Sequence, residues 1–380
     1  MLILTLDIGT GTQDIYLYDS RLHMENGFKL VVPAPTMIVH RRLKEATRRG
    51  EPVLLAGLTM GGGPSAWAAD EHLRAGYPVY ATPDAARSFN DDLDAIREMG
   101  ITVVSEDEAA NLPDDVVRLE MRDFDFGAVA NALAQFGIRL DRLAAVAVAV
   151  FDHGAAPPGV SDRLFRFDYI RQRLQASRRL STFAFRAEEV PDIMTRMKAV
   201  VAAAGSVDAP LVLMDSAPAG VLGATFDAAA RPGERRLYAN VGNLHTLAFR
   251  LGPDGAEGTF EHHTGMLDGP KLEGLLRELA AGTLQHERVY ADHGHGAYIP
   301  DPTPLPLPEG ESAVVVTGPR RALLAGSALR PTFATPFGDM MLAGCFGLLA
   351  ATADVIPELA GPIRRSLSGT GHGRPPWELP

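Results

Sequence analysis

The chain of 380 residues holds one cysteine and four lysines, and each shortage removes a class of chemistry. With Cys345 alone there can be no intrachain disulfide, no Cys-ligated iron–sulfur cluster and no multi-cysteine zinc site. That usage suits a reducing compartment, and a cytoplasmic protein is expected. None of the lysines (Lys29, Lys44, Lys198, Lys271) stands between a glycine and a Ser or Thr, so the P-loop pattern is absent. Positive charge is also in deficit, 36 basic against 47 acidic groups for a net of −11, which argues against nucleic acid or anionic lipid as partner. Long apolar runs are missing too. Met1–Leu6 stops at Asp7 without a basic lead, and Met340–Val355 is broken by Gly344, Gly347 and Asp354, short of the ~20 residues a span needs. No membrane segment is expected.

What remains is enough apolar sequence for two domains. Leu2–Leu6, a Gly/Thr bend and Ile15–Tyr18 read as a hairpin, with Phe28–Val32 as a third strand. Strand and helix alternate after Met37, and Leu143–Phe151 is a buried strand that stops at Asp152-His153-Gly154. Leu211–Met214 is another, followed by a small-residue helix over Ala217–Ala229. Arg231–Glu234 is a plausible boundary, after which the opening pattern recurs: Arg236–Ala239, a turn over Asn240–Thr246, then Leu247–Phe249. A Pro-rich connector follows over Ile299–Glu311, then a strand at Val314–Val316 and a helix of Ala and Leu behind Arg320. The expected domains are 1–230 and 231–337, with the helix at 338–351 packing back on the first and residues 361–380 forming a loosely ordered tail.

The densest chemical signal is Asp7-Ile8-Gly9-Thr10-Gly11-Thr12, with Gln13 beside it. Alternate glycines let the backbone approach a phosphate closely with its amides turned inward, and Thr10 and Thr12 add hydroxyl donors. A carboxylate at the end of the first strand can hold Mg²⁺ through its waters. Taken alone, the stretch also fits a glycine-rich hairpin with an exposed aspartate, the lesser of the two readings. Its order resembles the start of the actin, sugar-kinase and heat-shock-chaperone superfamily: a strand, Asp-x-Gly-Thr/Ser-x-Thr, a second strand. Four further stretches resemble that superfamily in its own order. They are the acid and small residues of Met214–Gly223, the second phosphate loop Asn240–Thr246, the adenosine turn Val314–Arg320, and the second connecting helix Gly338–Leu349.

The resemblance implies an α/β fold of two ribonuclease-H-like (actin-like ATPase) domains with a nucleotide cleft between them, and ATP with Mg²⁺ as ligands. It assigns the metal to Asp7, the phosphates to Gly9, Thr10, Gly11, Thr12 and Gln13 on one side, and to Asn240, Gly242, Asn243, His245 and Thr246 on the other. The adenosine falls to Gly318, Pro319 and Arg320. Two departures bear on mechanism. Asn240 stands where the superfamily usually has aspartate, and an amide brings neither a general base nor charge to a metal. Asp215 is the acid that could replace it, as metal ligand or catalyst, with helix capping as the plainer role. Phe151 stands where sugar kinases carry the glutamine of a Gln-x-His-Gly loop, which leaves Asp152 as the nearby acid. The pattern also resembles an actin-like family often labelled "putative pyruvate formate-lyase activating enzyme". A glycyl-radical activase needs three clustered cysteines to hold its cluster, and Cys345 alone cannot serve.

Histidines are the second signal. Of eleven, seven fall between His153 and His295. Asp292-His293-Gly294-His295 could ligate Zn²⁺ or Fe²⁺, with His153 as a further candidate, or form a solvated turn. His262 and His263 are adjacent, so on a strand at most one can face a given site. Three functions are compatible with these features. The first is phosphoryl transfer or ATP hydrolysis on a small substrate, and the second a nucleotide-gated activator or binding protein with weak ATPase acting on a partner enzyme. The third is a metal-dependent enzyme at Asp292–His295.

Overall fold

The computed structural model describes residues 1–231, 233–307, 312–371 and 373–378. The ends of the boundary and the connector read from sequence, Pro232 and residues 308–311, lie outside them, as do residue 372 and residues 379–380.

The chain opens with an antiparallel meander, β1 (Leu2–Ile8), β2 (Thr12–Asp19) and β3 (Phe28–Pro33). A separate parallel sheet comes next, β4 (Val53–Gly57), β5 (Val79–Ala81), β6 (Thr102–Val103) and β7 (Val117–Met121), in the order β6-β5-β4-β7. The sequence reading saw its alternation of strand and helix but not that it forms a sheet of its own. The first sheet then resumes with β8 (Leu143–Val150), β9 (Ala184–Arg186) and β10 (Leu211–Asp215), and its order is β3-β2-β1-β8-β10-β9. β8 lies parallel to both β1 and β10. That central place, covered on both faces, is why Ala145–Val150 is apolar at every position and fully buried.

The second half repeats the scheme. β11 (Arg236–Val241), β12 (His245–Gly252) and β13 (Gly255–His263) form an antiparallel meander. With β14 (Gly296–Tyr298), β15 (Val314–Thr317) and β16 (Thr332–Phe333) they give the order β14-β13-β12-β11-β15-β16, and β15 runs parallel to β11. Both sheets thus place a meander and a parallel crossover strand around the first strand, the ribonuclease-H-like arrangement twice over. The chain has the actin-like ATPase fold.

Two helices of small residues, Ser216–Ala224 and Ala343–Val355, cross between the halves. A Cβ on Gly223 would collide with the Ala343 carbonyl, and one on Gly347 with that of Ala219, so the two backbones touch. The second helix also packs on β1. Its Cys345 is fully buried and donates its thiol to the Asp14 carbonyl at 3.1 Å.

Two local readings change. Residues Ala360–Leu367 form a helix, with Ala360, Ile363 and Leu367 buried, where a loose tail was expected. The spacing of those residues gives one apolar face that the core covers. Leu22 bridges to Arg374 beyond it. Behind Arg320 only the short turn Arg321–Leu324 is helical. Among the described residues no single helix is long and apolar enough to cross a membrane.

Candidate functional site

The two meanders turn identically. Gly9 donates its amide to the Thr12 carbonyl at 3.0 Å, and Gly242 to that of His245 at 2.9 Å. Registers Ile8↔Gln13 and Val241↔Thr246 close both hairpins with four-residue loops, so Asp7 in the first corresponds to Asn240 in the second. The loops face one another across a cleft of about 280 Å³ lined by Gly9–Thr12 on one side and Gly242–His245 on the other. A Cβ added at Gly11 would lie 2.9 Å from Asn243 Nδ2, so their tips are in contact.

The cleft floor holds two carboxylates. Asp7 accepts a hydrogen bond from Ser216 Oγ at 2.6 Å, and burial outweighs that bond to push its pKa up to about 6. Asp14 faces it across the hairpin, in register with Asp7 on β2. It is only 7% exposed, its Oδ1 has no hydrogen-bond partner, and burial followed by the charge of Asp7 raises its pKa to about 8. Sequence reasoning missed Asp14. The signal was available, because a four-residue loop between residues 8 and 13 forces residues 7 and 14 opposite each other on one face.

The other two acids are committed elsewhere. Asp215 caps the helix Ser216–Ala224, accepting from the Ala217 amide at 3.2 Å, and pairs with Arg166. Arg166 is wholly buried on the helix Asp162–Ala176. It also binds Glu261 of β13 through two bonds of 3.1 Å and the Asp152 carbonyl at 2.8 Å. Burial works against its charge, but the two carboxylates outweigh burial and hold the guanidinium's pKa above its usual value. Asp215 is therefore corrected from metal ligand or catalyst to a capping and ion-pairing residue that does not line the cleft. Asp152 is likewise spent: Oδ1 accepts from the Gly154 amide and Oδ2 from the Met197 amide, both at 2.9 Å, which fixes the loop after β8. Its carboxyl lines the cleft, with each oxygen already accepting one amide hydrogen bond.

Three phosphate- or adenosine-assigned residues point away from the cleft. Gln13 donates to the Pro33 carbonyl at 3.3 Å, Thr246 is buried against Thr264 at 2.9 Å, and Arg320 is exposed with only its amide tied back, to Val241. All three follow a residue that does line the cleft, and strand alternation or the turn reverses them. Gly318 and Pro319 do line it, with Met340 and Met341 close by. Gly318 has φ +96°, and a Cβ there would lie 2.5 Å from the Val241 carbonyl and 2.6 Å from Asn240 Oδ1. Asn240 is thus packed between this turn and the first connecting helix, where a Cβ on Gly220 would meet its Nδ2 at 2.6 Å.

The separate parallel sheet supplies the remaining wall through Gly61–Pro64 at the start of the helix Pro64–Arg74, and through Arg87, Ser88 and Asp91. Burial raises the Asp91 pKa. Arg196 joins them, locked to Asp123 at 2.6 and 3.0 Å and to the Phe151 carbonyl at 2.7 Å.

The histidines divide in a way the sequence does not show. Asp292 is held by Lys271 at 2.8 Å and His262 at 3.3 Å, and His293 is exposed in a left-handed conformation with φ 64°. The expected Asp292–His293–His295 ligand set is not formed. His295 turns inward instead, towards His153 and His245, and His263 rather than His262 faces the same point.

No curated protein matches the chain. Among solved structures it overlaps the activator of the 2-hydroxyisocaproyl-CoA dehydratase from Clostridium difficile with bound ADPNP, at 10% identity, 99% of each chain and a TM-score of 0.32. It overlaps an exopolyphosphatase-like protein at 9% identity over 83% of this chain and 65% of that one, TM-score 0.26. The ROK hexokinase from Thermus thermophilus overlaps at 16% identity over 97% and 90%, TM-score 0.24. At such scores the fold rests on the strand order and register given above. Residues 60–323, more than half of the chain, match the family described as "Putative pyruvate format-lyase activating enzyme (DUF1786)", and the chain belongs to that family.

Proposed function

We propose that this chain binds Mg²⁺–ATP in the cleft between its two halves and hydrolyses it slowly, so that occupancy of the cleft is a state a partner enzyme can read. The supporting observation is the pair of matched hairpin loops over Asp7 and Asp14. An orphaned buried carboxylate oxygen beside a second acid fits a hard divalent cation, and two four-residue loops facing one another across the cleft fit a chain of phosphates. Mg²⁺, when bound, neutralises phosphate charge; Asp7 and Asp14 would hold it directly or through water. Thr10, Thr12 and the loop amides would orient the phosphates, and Gly318 and Pro319 would leave room for the base. Slow turnover follows from what the other acids do. Asp152 and Asp215 are tied to amides and arginine, and Asn240 is an amide, so among the described residues the second loop has no unconstrained carboxylate beside it to activate water. Cys345 is single and buried against β1 and β2, which leaves nothing to hold the cluster of a radical activase.

One observation favours a second reading, phosphoryl transfer to a small hydroxyl-bearing substrate. Asp91 lines the cleft from the separate sheet with no side-chain partner among the described residues, placed to accept an acceptor's proton. Measuring ADP formation with and without added sugars and polyols separates the two. A slow rate indifferent to these acceptors and to Asp91→Asn supports the switch. Stimulation by one of them, lost in Asp91→Asn, supports transfer. Unchanged turnover in Asp7→Ala would sink both.

A further inference from the structure

We infer that His153, His245 and His295 form a binding site for a divalent transition-metal ion, Zn²⁺ or a first-row neighbour, with its open coordination position towards the cleft. The inference does not depend on nucleotide binding. Three separate elements deliver the imidazoles: the loop after β8, the second hairpin loop, and the residue before β14. One ring nitrogen from each lies within 4.8 Å of the others. Three nitrogens at ~2.1 Å from one ion stand about 3.4 Å apart, so small side-chain rotations close the set. His263, in register with His245 on the neighbouring strand, places its ring centroid 4.7 Å from that of His295 and flanks the same point.

The polar bookkeeping of the cluster calls for a ligand. His295 is 0% exposed, and neither of its ring nitrogens has a hydrogen-bond partner; His245 Nδ1 is buried and unpartnered as well. Burying such groups unpaired costs about 1–3 kcal/mol each, a cost that coordination removes at the one nitrogen of each ring that offers its lone pair.

Phe151 stacks on His245 at 4.1 Å, and beyond it lies Arg166, paired with the buried carboxylates of Asp215 and Glu261. A set of three nitrogen ligands suits zinc, iron, cobalt or nickel rather than Mg²⁺, which prefers oxygen. Three protein ligands also leave a fourth position free, as in catalytic rather than structural zinc sites. His153 and His245 line the cleft, so that position meets an oxygen of water or of an anion such as phosphate held there. The metal would sit beside the second phosphate loop, distinct from the Asp7–Asp14 pair.

The test uses the full chain stripped with chelator and titrated with Zn²⁺ or Co²⁺, following stoichiometry by elemental analysis and the cobalt site by its visible spectrum. One ion per chain is expected, with the spectrum of a four- or five-coordinate nitrogen-rich site that changes when inorganic phosphate is added. His245→Ala and His295→Ala should weaken Zn²⁺ binding on the order of a hundredfold or more, while His293→Ala, outside the cluster, leaves it intact. Circular dichroism of the stripped variants establishes that they are folded. Failure of the wild-type chain to bind either ion overturns the site whatever the variants do. Equal binding by a folded His295→Ala overturns the assignment of its ligands, and a cobalt spectrum blind to phosphate overturns the open position.

Discussion

Asp7 and Asp14 make the cleft floor sensitive to pH, and the direction can be worked out. Each carboxyl in the metal-free fold titrates above its ordinary 3.8, near 6 for Asp7 and near 8 for Asp14, so folding takes up protons between those limits. Stability of the metal-free protein therefore declines as pH rises from about 4 to about 8, by at most ~1.4 kcal/mol per unit for each group still titrating. Asp14→Asn removes the larger share. Its melting temperature without metal should exceed that of the wild type at pH 8, and the two should converge near pH 4; a wild type more stable at pH 8 would contradict the burial of that charge. Arg166 carries the opposite risk. Arg166→Met strands Asp215 and Glu261 as buried carboxylates, and urea unfolding should show a loss of roughly 3–5 kcal/mol. Asp7 was legible because a single local motif contains it. Asp215 was not, since its partner Arg166 lies 49 residues away on another element and is shared with Glu261, and nothing in a linear reading pairs them.

The two connecting helices owe their place to glycine. Gly344 lets Ala343–Val355 pass against Asp7, whose Oδ2 a Cβ would strike, and Gly223 with Gly347 lets the helices cross backbone to backbone. Gly223→Ala should destabilise the protein by about 1–3 kcal/mol or more, because the obstacle is a carbonyl oxygen rather than a yielding side chain. Gly274→Ala is the control. It lies inside the helix Gly269–Ala281 with nothing within 4 Å of the added methyl, and it should stabilise by about 0.5–1 kcal/mol. Equal effects from both, measured by urea unfolding, would refute the close crossing. The hairpins and the small-residue helices stand out in the sequence because turn chemistry and composition are local. The helix Ala360–Leu367 does not, because eight residues ending among Arg, Ser and Gly carry a weak periodicity until the core supplies a surface for Ile363 and Leu367. The parallel sheet β4–β7 was hidden for a related reason: strands of two to five residues reveal alternation but not which sheet they join.

Two sheets that share a five-strand order are joined on both sides of the cleft. The small helices tie them at the floor, and Arg166 bridges β10 of the first to β13 of the second. Loops that touch through Gly11 and Asn243 must separate to admit a nucleotide, so binding is expected to be coupled to domain movement. Asn243→Ala, which removes that contact, should speed nucleotide association in stopped-flow measurements by several-fold; an unchanged rate would mean the loops do not gate the cleft. Equilibrium binding of ATP to the wild-type chain and to Asp7→Asn, with Mg²⁺ and then with chelator in its place, bears most directly on the whole account. Saturable binding of one nucleotide per chain that needs both Mg²⁺ and Asp7 is the expected result. No binding by a folded wild-type chain, or binding of equal strength in Asp7→Asn, would contradict it.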